Sequence, residues 1–140
     1  MKKVEGGLPM LSVNTLILIV SCLFALFVLY EILPPWGVKQ IDVIQLMKML
    51  EEESREDYQY IDVRPAEQFN TLHVFGFQNI PLKQLKNDLK NLSKDKSVVV
   101  ISERGNNSNE ACRVLKRHGF LNLINVRGGI ITWEKHRNTF

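Results

Sequence analysis

The sequence is poor in cysteine. It has two in 140 residues: Cys22 lies within an apolar run and Cys112 stands alone downstream, so no internal disulfide can staple a small exported domain. It has three histidines, and no set of His, Cys or acidic residues has metal-ligand spacing, so no metal or other cofactor is expected. Internal repeats and low-complexity tracts are absent, which argues against a solenoid or a disordered chain. Strong charge of either sign is missing too. Setting aside Lys2, Lys3, Glu5 and Glu31 leaves 16 Lys and Arg against 13 Asp and Glu, a net of +3. That is a solvated surface and not a nucleic-acid footprint. The most basic local run, Lys83, Lys86, Lys90, Lys94 and Lys96, is interrupted by Asp88 and Asp95 and reads as an exposed helix face and a loop. Contact with anionic lipid heads is the alternative.

One absence is local. No charged side chain occurs between Glu5 and Glu31. From Leu11 to Tyr30, thirteen positions are Leu, Ile, Val or Phe, together contributing about −4 to −8 kcal/mol to insertion. Ser12, Asn14, Thr15 and Ser21 offset part of that. Residues 11–33 are therefore read as one transmembrane helix after a short tail, 1–10, and before a linker, 34–37. Tyr30 and Trp36 lie where interfacial aromatics anchor a span, and Pro34 and Pro35 lack the amide a continuing helix needs. Ile19-Val20-Ser21-Cys22 resembles a lipoprotein cleavage site with Cys22 lipidated. Leu23 to Leu29 stays apolar beyond that point, which favours an uncleaved, single-pass anchor in the cell membrane. Lys2 and Lys3 against Lys39 and Lys48 lean slightly towards a cytoplasmic N-terminus with the domain outside, whereas the lack of a disulfide leans the other way.

Residues 38–140 alternate between two periods. Asp42 and Gln45 have capping-box spacing, ahead of a helix with Val43, Leu46, Met47 and Leu50 on one face and the acidic run Glu51 to Glu53 after it. Tyr60-Ile61-Asp62-Val63, Ser97 to Ile101, and Leu123-Ile124-Asn125-Val126 read as buried strands. Between the last two, Ala111, Val114 and Leu115 mark a helix closed by Gly119. The fold class is α/β, a small parallel sheet flanked by helices and preceded by the membrane helix. Ligands of such sheets bind beyond the carboxyl ends of the strands. This directs attention to the loop Ser102-Glu103-Arg104-Gly105-Asn106-Asn107, with Ser108 opening the next helix, as a cradle of backbone amides for an anion.

These residues resemble the rhodanese family. Tyr60-Ile61-Asp62-Val63-Arg64 with Glu67 and Phe69 is similar to its D-V-R…E-F segment. His73 to Pro81 is similar to its G-H-I-P-G-A-x-N-I-P stretch, with Leu72 for the first Gly and Phe75 for the Pro. Leu115 to Phe120, and Val126-Arg127-Gly128-Gly129 through Trp133, match its closing elements. The likeness covers residues 38 to 135. It implies a rhodanese-like fold for 38–140, with Asp62, Arg64 and Glu67 as structural ion-pair and hydrogen-bond residues, and it slightly prefers a cytoplasmic location for the domain.

The family's active loop is C-x-x-G-x-R-S, whose cysteine carries sulfur as a persulfide. Here it reads Ser102-x-x-Gly105-x-Asn107-Ser108. A thiol near a helix N-terminus supplies thiolate at neutral pH, whereas a serine hydroxyl needs a general base and its oxygen forms no persulfide. Losing the Arg removes a bidentate anion donor. Of the candidate rescuers, Arg104 is expected to point to solvent and His73 to be structural. Cys112 is expected to be a packed thiol, His118 a charge at a helix end, and His136 exposed. The expectation is a non-catalytic, membrane-anchored module that binds a small anion or a protein partner at 102–108, with the lipid bilayer engaged through residues 11–33. The alternatives are a sulfurtransferase, with Cys112 in an unexpected geometry, and a Ser102-dependent hydrolase.

Overall fold

The computed structural model describes residues 12–51 and 56–137. The expected tail 1–10, together with Leu11 and the acidic Glu52 and Glu53, lies outside them. The chain divides between Pro34 and Pro35 into two compact units.

The first unit is one helix, α1 (Val13–Ile32), capped by Ser12, whose Oγ accepts from the Thr15 amide at 3.3 Å. Leu33 is extended and closes the helix with its amide on Leu29 O. By length and composition α1 can cross a bilayer, and from Val13 to Glu31 none of its side chains is buried within the chain.

The second unit has the element order β1 (Lys39–Ile41), α2 (Val43–Glu51), β2 (Tyr58–Asp62), α3 (Ala66–Thr71), β3 (Gln78–Asn79), α4 (Leu85–Asp88), a 3-10 turn (Leu89–Asn91), β4 (Ser97–Ile101), α5 (Asn106–Arg117), β5 (Leu123–Val126) and α6 (Gly129–Arg137). The five strands form one sheet in the order β1-β5-β4-β2-β3, and every pairing is parallel. Side chains of a strand alternate between faces, and β4 shows the result. Val98 and Val100 join a core with Ala111, Cys112, Leu115 and Phe120 of the α5 side. Val99 and Ile101 join another with Val43 and Leu46 of α2 and Ile130 of α6. A central strand coated on both faces must be apolar along its whole length, which is why Val98 to Ile101 is an unbroken run.

The capping box of α2 forms as its spacing predicts: Gln45 N donates to Asp42 Oδ1 at 2.8 Å and Asp42 N to Gln45 Oε1 at 3.0 Å. Val43 and Leu46 are buried, with Met47 and Leu50 packed against the same core. Two elements of the second unit begin earlier than expected. β2 begins at Tyr58, two residues early, because Tyr58 and Gln59 pair with Ser97 and Val98. The helix after β4 opens at Asn106, so Ser108 lies inside its first turn and Gly105, at φ +108°, is the cap.

Candidate functional site

All strands run in one direction, so their carboxyl ends gather at one edge of the second unit. There β4 delivers the chain into the loop 102–105. Gly105 turns it at a positive φ that other residues rarely adopt. A Cβ at Gly105 would also lie 3.5 Å from the Gly128 amide nitrogen, so the loop is packed against the chain leaving β5.

Within the turn three polar groups close on one another. The Gly105 amide donates to Ser102 Oγ at 3.0 Å, Ser102 Oγ donates to Ser108 Oγ at 3.1 Å, and Ser108 Oγ donates to Gly105 O at 3.0 Å. Ser102 is 1% exposed and Ser108 fully buried. The loop is gripped from the other side by α6: Ile130 N donates to Ser102 O at 2.9 Å and Ile131 N to Glu103 O at 3.2 Å. Gly129 permits this approach, since a Cβ there would meet Ser102 O at 2.3 Å. Glu103, Arg104, Asn106 and Asn107 form the exposed rim. They surround the first turn of α5, whose leading amides have no intrahelical acceptors and carry the positive end of the helix dipole.

Asp62 and Arg64 stand beside this edge. Arg64 Nη2 reaches Asp62 Oδ2 at 2.7 Å and Leu72 O at 2.6 Å, and Arg64 Nε lies 3.0 Å from both carboxylate oxygens. The pair is buried. The intervening Val63 amide donates to Ile101 O at 3.0 Å, one residue before Ser102, so the pair braces the start of the loop. Asn79 Nδ2 donates to Asp62 O at 3.0 Å and Arg64 O at 2.9 Å. Glu67 departs from its expected role: it lies exposed on α3, outside this ion pair, and among the described residues only its backbone O is engaged, accepting from Thr71 Oγ1 at 2.9 Å.

No histidine is brought to Ser102. His73 stacks on Phe69 at 4.1 Å and its Nδ1 donates to Phe69 O at 2.9 Å. His118 caps α5 with Nδ1 on Val114 O at 2.8 Å. His136, expected exposed, is half-buried, because its Nδ1 folds back onto Thr132 O at 2.8 Å. Cys112 is fully buried among the α5-side core residues, and burial pushes its thiol up to about 12. Arg104 is exposed as expected. Among the described residues, no group of three or more His, Cys, Asp or Glu could hold a metal ion.

Two features escaped the sequence reading. The α6 grip on the loop carbonyls is made by backbone amides, which leave no residue-type signal beyond the paired Gly128-Gly129. A polar cluster also underlies the loop: Asn125 Nδ2 donates to Gln40 Oε1 at 2.7 Å and Asn109 Oδ1 at 2.9 Å. It ties β1 and β5 to the second turn of α5, and Asn125 is 1% exposed. A lone Asn inside the apolar run of β5 was its visible sign.

Comparison with known proteins bears on this arrangement. The Rhodanese-like domain family matches residues 43–136. The uncharacterized protein YqhL of Bacillus subtilis (strain 168) is 34% identical over 120 residues, covering 83% of this chain and 91% of that one. A protein of Allochromatium vinosum named sulfurtransferase is 32% identical over 100 residues, covering 71% of this chain and 91% of its own length. Some other relatives named for sulfur carriage or transfer are longer proteins, and the chain spans less than half their length. The crystal structure of a rhodanese-related protein from Thermoplasma volcanium superposes with a TM-score of 0.61 at 30% identity, over 70% of this chain and 92% of that one. The parallel sheet, the turn after its central strand and these matches agree: the chain belongs to the rhodanese-like domain family.

Proposed function

We propose that this protein is a single-pass membrane protein whose rhodanese-like domain lacks sulfurtransferase activity and binds a small anion or a protein partner at the loop 102–108. The observation that carries this reading is the state of Ser102. Its hydroxyl accepts from Gly105 and donates to Ser108 in a buried ring, with no base in the ring to activate it. A serine nucleophile needs an adjacent general base, and oxygen cannot hold transferable sulfur as a persulfide. Cys112 offers no substitute, because its thiol is buried and stays protonated far above neutral pH. What remains at the loop is a rim of Glu103, Arg104, Asn106 and Asn107 around helix amides, a surface suited to binding.

Relatives named sulfurtransferase give the comparison its edge. The full chain, solubilised in detergent, is expected to release no more thiocyanate from thiosulfate and cyanide than a loop-scrambled control. Turnover well above that control would overturn the reading, as would a persulfide trapped on Cys112 or a serine-directed probe attached to Ser102. The anchor is tested separately, by resistance of the chain to alkaline extraction from membranes.

A further inference from the structure

Opposite the loop, at the end where the strands begin, two large apolar side chains stand out in solvent. Trp36 is 91% exposed and Leu121 78% exposed. Leu121 lines a cavity of about 280 Å³ together with Gly37, the residue after Trp36, and with Lys39, Tyr58, Ser97 and Asn122. Lysines frame both. Lys116 Nζ donates to Trp36 O and lies 5.7 Å from the centre of its ring. Lys94 Nζ lies 5.7 Å from the Phe120 ring, next to Leu121. Around the strand starts, among the described residues, Lys39, Lys94, Lys96, Lys116 and Arg117 outnumber Glu51, Glu56, Asp57 and Asp95 by one.

We propose that this face, with Trp36 and Leu121 as apolar tips and Lys94 and Lys116 as cations, docks onto the anionic headgroup surface of the bilayer. The proposal rests on the anchor reading, which supplies both the partner and its proximity. Three residues of chain from Leu33 to Trp36 reach at most about 10 Å, so Trp36 cannot leave the interface of a membrane that α1 spans. Trp prefers the headgroup zone. Lysines with their stems along apolar surface and their amines towards phosphate complete the chemistry. Leu121 lies 88 positions along the chain from Leu33, so its contact with lipid would report docking of the domain and not the tether alone.

The experiment uses the full chain with Cys22→Ser and Leu121→Cys, labelled at the new thiol with an environment-sensitive fluorophore; buried Cys112 stays unlabelled. The protein is reconstituted in vesicles of phosphatidylcholine alone or with added phosphatidylglycerol. The label should move to an apolar environment when phosphatidylglycerol is present, and a label at Glu103→Cys, on the opposite edge, should not respond. Lys94→Gln with Lys116→Gln should lower the ratio of docked to undocked domain roughly 30-fold. A Leu121 label indifferent to lipid charge, or a double variant matching its parent, overturns the docking face. Release of the chain by alkali is a different failure: it removes the anchor, and docking with it.

Discussion

At Ser102 the hydroxyl hydrogen is committed to Ser108 and the lone pairs to Gly105. Replacing that oxygen by sulfur would leave the Gly105 amide facing a thiolate, and Ser108 would turn its hydrogen from Gly105 O to do the same. The double variant Ser102→Cys, Asn107→Arg is therefore expected to gain sulfur transfer, measured as thiocyanate release, because the backbone of the turn is retained. A folded but inert double variant would show that the rim has diverged beyond these two positions. Arg64 makes the opposite kind of test. Removing it strands the buried Asp62 carboxylate, so Arg64→Ala should cost about 3–5 kcal/mol of stability by thermal or denaturant unfolding. Cys112 has a pH signature. Its thiol rises from 9.0 to about 12 in the folded chain, so between those values the unfolded chain has lost a proton that the native chain retains. Its contribution to stability is thus present below pH 9 and falls by about 1.4 kcal/mol per pH unit above it. Cys112→Ala should flatten this alkaline loss in unfolding curves taken from pH 8 to 11.

Elements decide how the loop is held. The grip of α6 depends on Gly129, at φ +58° with no room for a Cβ against Ser102 O. Gly129→Ala should lower the melting temperature, with a cost of at least the roughly 1–2 kcal/mol of a left-handed alanine, and should loosen the 102–105 turn to limited proteolysis. Much of this level was legible beforehand. β4 was marked by a dense β-branched run, β5 by a short apolar one, and α2 by Asp42 and Gln45 acting as a box. The rest carried no periodic signal. β1 has three residues and β3 two, too few for an alternation to register, and both exist because a neighbouring strand supplies their hydrogen-bond partners. Ser108 reads from the sequence as the residue that opens α5. Gly105 took the cap instead, since its positive φ lets the chain turn early and frees Ser108 to face Ser102. The place of the loop after β4 was legible in the sequence, but the inward direction of Ser102 and Ser108 against the outward rim is a property of the fold and of no single residue type.

In the whole molecule, the parallel sheet puts Trp36 and Gly37 at the edge where strands begin and the 102–105 turn at the edge where they end. β4, which joins these edges, has five residues, and at about 3.3 Å each it is roughly 17 Å long. That length is about twice the Debye length of roughly 8 Å at physiological ionic strength. Lipid charge near the linker would therefore be screened from an anion arriving at the loop. Thiosulfate binding by the reconstituted chain is expected to be the same in phosphatidylcholine and phosphatidylglycerol vesicles at physiological salt. It should weaken on the anionic vesicles only near 0.01 M ionic strength, where the Debye length of about 30 Å exceeds the span of the strand. With the anchor and the docking face as proposed, one strand's length would insulate the 102–105 edge electrically from the lipid composition at the linker.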